Sequence, residues 1–263
     1  MILATDGDFN VGTTNRDELI ELIQEHARGG VFLTALGFGS GNLNEAVLEG
    51  LADHGNGNYA YIDSIHEARK VLVSELGSTL VTVAKDVKLQ VVFDPRWVAA
   101  HRLVGYDNRR LAHADFENDL KDAGDLGAGH HVTALFELVP PSSPLPEALE
   151  TQTGAPAEAL LSLFTGRNGI LGAKVRYKDP QQEQSRVLIE TFRDEGRSLD
   201  TASDSLRFSA AVAWFGQELR SERGPSKEAL AQARSLAASS LGADPGGYRA
   251  GFLDMVSAAM DLD

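Results

Sequence analysis

Met1-Ile2-Leu3-Ala4-Thr5-Asp6-Gly7, Val31-Phe32-Leu33-Thr34-Ala35-Leu36-Gly37-Phe38 and Tyr59-Ala60-Tyr61-Ile62 are short runs whose intervals decide the fold. The first is about five residues of strand before the Asp6-Gly7 turn signal. The second, apolar but for Thr34 and bounded by Gly37, Gly39 and Gly41, reads as a parallel strand buried on both faces. Between them, Leu19, Ile20, Leu22, Ile23 and Ala27 fall at three- and four-residue spacings, and Gly29-Gly30 provides the stop. A second helix is expected over 42–54 (Leu43, Ala46, Val47, Leu51), followed by the turn Gly55-Asn56-Gly57-Asn58. A third is expected over 64–80, with Ser64 and Glu67 in capping-box positions. Residues 1–80 therefore read β-α-β-α-β-α, an alternation that builds a parallel sheet with helices on both faces.

Beyond Thr82 the period changes. Runs at 85–93, 97–104, 131–139, 170–178 and 186–192 carry β-branched and aromatic residues and are separated by turn clusters, which predicts an antiparallel β-rich unit over about 81–200. A Pro-rich stretch from Pro140 to Pro156 reads as an exposed loop inside it. Helical spacing returns at 206–223, 226–241 and 247–262, so 201–263 is expected to form a helical C-terminal segment. The fold class is α/β plus β-rich.

Composition narrows the function. The 263 residues hold 24 Lys plus Arg against 38 Asp plus Glu, a formal net charge of -14, and the apolar share of 43% suits a folded chain. Such a surplus repels nucleic-acid backbones and anionic lipid surfaces. The absence of cysteine excludes disulfides, thiolate metal sites and a cysteine nucleophile. No apolar run approaches the roughly 20 residues of a membrane span, and Met1 to Gly12 has neither the basic nor the apolar region of a signal peptide, leaving the compartment open. No G-x-S-x-G elbow is present.

Ile2-Leu3-Ala4-Thr5-Asp6-Gly7 with its helix, then Leu36-Gly37-Phe38-Gly39 and Gly57-Asn58-Tyr59-Ala60-Tyr61-Ile62, resembles the second half of a von Willebrand factor type A domain. Leu103-Val104-Gly105-Tyr106-Asp107-Asn108-Arg109, the stretch Asp122 to His130, Phe208 to Ala213 and Gly247-Tyr248-Arg249 resemble the C-terminal region of the bacterial YfbK-like group. The type A resemblance implies a sheet ordered 3-2-1-4-5-6 and a metal-ion-dependent adhesion site. There Mg²⁺ is held by an Asp-x-Ser-x-Ser loop, a Thr and the Asp of a Thr-Asp-Gly loop, and a partner's acidic side chain completes the coordination. Only that last Asp maps here, onto Asp6, and no Asp in the chain is followed by Ser at both the second and fourth positions. The expectation is a chain that begins partway through the family's domain, with Asp6 the remnant of an incomplete site and no tight Mg²⁺ binding by this chain alone. The function implied is protein binding rather than turnover. With strands one to three missing, the edge of the strand at residues 2–5 is expected to self-associate, pair with another polypeptide or fray.

Three other readings attach to particular residues. Asp6, Asp8, Asn10 and Asp17 have calcium-loop spacing, but Val11 stands where that loop requires Gly. Gly37-Phe38-Gly39-Ser40-Gly41, with Asp63 closing the next strand, mimics a dinucleotide loop and would make the chain a nucleotide-binding α/β enzyme. Asn42, however, occupies the place of the third glycine. His130-His131 opens a predicted strand, so the two rings should face opposite sides, one inward and one in solvent. Trp97, Tyr106, Phe136, Tyr177, Trp214 and Phe215 are expected in the core.

Overall fold

The structure is a computed structural model that describes residues 1–6, 15–39, 43–75, 77, 81–106, 110–112, 115–119, 121, 123–144 and 169–262. The chain is mixed α/β, with a parallel sheet followed by antiparallel pairing and then helices. It divides into two compact units. The first comprises Met1–Val91, Leu111–His131 and Ala173–Glu190, and the second Val92–Arg110, Val132–Gly172 and Thr191–Asp263.

In the first unit, β1 (Ile2–Thr5), β2 (Thr34–Phe38) and β3 (Tyr59–Ile62) form a parallel sheet in that order. Its register sets Leu3 opposite Ala35 and Leu36 opposite Ala60. The connections are α1 (Arg16–Arg28) and α2 (Glu45–His54), and α3 (Ile65–Arg69) follows β3. The Asn15 and Asn44 side chains accept from the N–H groups of Asp17 and Val47, and Ser64 Oγ accepts from Glu67 N–H, so each helix start has a polar cap. One face of β2 is covered by Ile23 and Leu51 around Leu33, and by Leu48 and Ala52 around Ala35. The other is covered by Ile62 and Val71 around Leu36. Burying one leucine side chain contributes about 2 kcal/mol, so β2 is the apolar centre of this layer. The helix expected over 64–80 changes period early, because Lys70–Ser74 forms a turn of π-helix after α3. That turn still delivers Val71 to the core.

The antiparallel expectation holds beyond Thr82. Strand β4 (Thr82–Phe93) lies between β6 (Leu126–Gly127) and β8 (Leu171–Lys178), with β9 (Ser185–Phe192) outermost, while β5 (Ala100–Val104) pairs with β7 (Leu135–Val139). In the second unit, α4 (Asp204–Leu219), α5 (Lys227–Ala238) and α6 (Tyr248–Met260) share a core of Ala211, Phe215, Leu230, Ala237, Phe252 and Val256. Phe208 and Phe215 both meet the Phe252 ring edge-on at 5.4 Å.

Several expectations need correction. Trp97 is exposed, because the Asp94 carbonyl accepts from the N–H groups of Trp97 and Val98, and the Asp94 carboxylate accepts from Arg96 N–H. The chain therefore turns where a strand was expected, and β5 starts only at Ala100. Hydrogen bonds from the Arg96 side chain, with its backbone N–H and charge adding to them, hold the Asp94 carboxyl below its ordinary range against the opposing effect of burial. Tyr106 is exposed too, in a left-handed conformation with φ of 58°. His130 and His131 precede β7 instead of opening it, and both are exposed. Most of the Pro-rich stretch, from residue 145, lies outside the described residues.

Gly57 marks the tightest approach in the parallel layer. A Cβ there would overlap the Leu33 carbonyl at the entry to β2. At Gly216, in α4, no atom of the described residues outside the adjoining helix backbone lies within 4 Å of where a Cβ would stand. Gly57→Ala should therefore lower stability by at least about 2 kcal/mol, whereas Gly216→Ala should raise it by about 0.5–1 kcal/mol, as read by urea unfolding.

Candidate functional site

Open parallel sheets present ligand sites at the carboxyl ends of their strands. Here those ends bring together Asp6 after β1, Gly37-Phe38-Gly39 at the end of β2 and Asp63 after β3. Asp6 and Asp63 are exposed. Residues 7–14 and 40–42 lie outside the described residues, and with them Asp8, Asn10, Ser40 and Gly41.

Two tyrosines missed by sequence reasoning stand beside the glycines. The signal was present, since Tyr59 and Tyr61 alternate on β3 and so point the same way. Tyr61 Oη donates to the Gly39 carbonyl at 2.9 Å, where Gly39 has a φ of 100°. Tyr59 Oη is buried with no hydrogen-bond partner among the described residues. Burial pushes its pKa up, and the Glu45 carboxylate adds to the shift. A Cβ on Gly37 would stand 3.0 Å from Tyr59 Oη, 3.1 Å from Leu43 and 3.3 Å from Leu48. The room left by the missing Gly37 side chain is thus taken by the protein's own tyrosine and leucines. A pyrophosphate loop instead keeps its glycine backbone open to the ligand.

Mg²⁺ asks for near-octahedral oxygen ligation. Asp6 offers one carboxylate, and among the described residues no group of three or more His, Asp or Glu side chains is placed to hold a metal. The described residues therefore do not fit a complete Mg²⁺ site. No helix among them is long and apolar enough to cross a membrane.

A family model described as "Uncharacterized protein YfbK, C-terminal" matches residues 78–262, from just before β4 to the end of α6. The chain belongs to the YfbK family. It is 39% identical over 259 residues to "Uncharacterized protein YfbK" of Escherichia coli (strain K12), a match covering 98% of this chain and 44% of that protein. The YfbK likeness therefore reaches across the parallel sheet as well, and the chain spans less than half the length of this relative. No solved structure matches.

The ligand count sets an expectation for metal. Isothermal titration with Mg²⁺ or Mn²⁺ should show no binding tighter than about millimolar. Micromolar affinity lost in Asp6→Ala would overturn it.

Proposed function

We propose that this YfbK-family chain is a protein-binding module of the von Willebrand factor type A class, and that its parallel sheet recruits a partner polypeptide along β1. The observation that carries the reading is the strand order. β1 pairs with β2 on one side and stands at the sheet edge on the other, as strands four, five and six of a type A sheet would if considered alone. Among the described residues no further strand lies beside that edge, and its start is apolar: Met1 is 63% exposed and Ile2 43%. Exposed apolar edge strands add a further strand from another chain, because their outward N–H and C=O groups template the pairing.

Asp6 sits at the carboxyl end of the same strand, where the type A class carries a metal-site carboxylate. A strand added beside β1 would bring its own side chains to that end of the sheet, so partner binding and completion of a Mg²⁺ site would be one event. Mg²⁺ belongs to the assembled sheet in this reading, and the partner is a protein. The packed room at Gly37 favours this over nucleotide binding.

The register makes a clean test possible. The Met1 carbonyl accepts from Thr34 N–H at 2.9 Å, so alternation turns Leu3 toward β2 and Ile2 and Ala4 outward. Proline at position 4 removes only an outward N–H, which an edge strand tolerates. Light scattering should find the native chain in dimers or larger species, and Ala4→Pro monomeric with an unchanged thermal melt. A native chain that stays strictly monomeric at high concentration, with light scattering unchanged by Ala4→Pro, would refute the proposal.

A further inference from the structure

Lys174, Arg176 and Lys178 alternate along β8, so their side chains leave one face of the four-stranded sheet, joined by Lys88 from β4. In a chain of net charge -14 these cations lie under cover. Lys88 is 4% exposed, and the side chains of Lys174, Arg176 and Lys178 are 12%, 14% and 11% exposed. What covers them is the segment Asp115-Phe116-Glu117-Asn118-Asp119. Phe116 is buried, with Lys174 Nζ 4.9 Å from its ring centroid. Lys174 and Arg176 pair with Glu117 at 3.3 and 3.0 Å, and Arg176 pairs with Asp119 at 2.9 Å. Ser185 Oγ also donates to Asp119.

Two features set this apart from ordinary internal packing. First, the sheet grips the segment's main chain: Lys88 Nζ donates to the carbonyls of Asp115 and Asn118, and Lys178 Nζ to that of Asp119. The N–H groups of Asp115 and Asn118 close local turns. A lysine reading carbonyls accepts any peptide that presents them. Second, the acids sit at the solvent rim, with Glu117 66% and Asp119 44% exposed, while the cations lie beneath. Covering so many cations is costly unless an acidic occupant pairs with them. Strand geometry supports the arrangement. Asp86 takes a left-handed φ of 50° in β4, near a register shift between Thr82 and Ala84, and its carboxylate meets Lys178 at 2.6 Å. One of the cations is thereby oriented by the sheet itself.

We propose that this face is a docking groove for a peptide with an aromatic anchor flanked by acids, held shut in cis by residues 115–119. The apparent affinity for a peptide in trans falls by the fraction of time that the groove stands open. Loosening the cis segment therefore exposes the site.

The probe is a fluorescein-labelled peptide with the sequence of residues 114–120, titrated into the 263-residue chain with anisotropy as the readout. A Glu117→Ala/Asp119→Ala variant should bind it at least about tenfold more tightly than the native chain does. Adding Lys174→Gln and Arg176→Gln to that variant should abolish the gain. Equal binding by native and loosened chains of the same circular dichroism would overturn the proposal, as would inorganic phosphate binding the loosened groove in place of the peptide. Should the loosened variant not fold, amide exchange in the native chain decides. Openings that free Phe116 to Asp119 while β4 and β8 stay protected uphold the groove, and exchange of the segment only together with those strands refutes it.

Discussion

β2 is a strand buried on both faces, and every main-chain N–H and C=O it carries must find a partner within the sheet. β1 meets those groups on one edge and β3 on the other. This requirement orders the rest of the layer. The helices must cross to opposite faces to cover Leu33 and Ala35 on one side and Leu36 on the other. Gly57 must lack a side chain, because the chain entering β3 passes directly against the Leu33 carbonyl. β1 satisfies its neighbour while its own outer groups remain at the sheet edge, which is why the proposed function attaches to β1.

Much of this was legible in the sequence because burial on two faces leaves a strong mark. Val31 to Phe38 could be little else once it was flanked by amphipathic stretches of α1 and α2 length. Capping was legible at Ser64, whose hydroxyl accepts from Glu67 N–H, and the structure adds Asn15, Ser203 and Ser226, whose side chains accept from early N–H groups of the helices they precede. The YfbK likeness, read from short motifs after residue 103 and around Phe208, is matched by the family model over 78–262.

Other features were hidden because they depend on long-range partners. Trp97 looks like a core aromatic, but a turn closed by Asp94 and Arg96 sends it outward. The π-turn at Lys70–Ser74 leaves no pattern that differs from a regular helix. At the candidate site, Asp6 and the Gly37 turn were legible as strand-end residues, whereas the tyrosines of β3 became relevant only once the register set Tyr61 opposite Gly37. Lys174, Arg176 and Lys178 alternate in the sequence, which puts them on one strand face without saying whether that face is solvated or covered. Pairing with a segment more than fifty residues earlier is what puts them under cover.

The open edge of β1 is the central claim, and residue-resolved amide exchange tests it directly. In dilute, monomeric chain the N–H groups of Leu3 and Thr5, which the register turns toward Thr34 and Leu36 of β2, should exchange slowly. Those of Ile2 and Ala4 should exchange fast, with protection appearing only as the chain associates or a partner strand is supplied. Equal and strong protection of all four amides in a strict monomer would mean that the edge is already paired, and would contradict the claim.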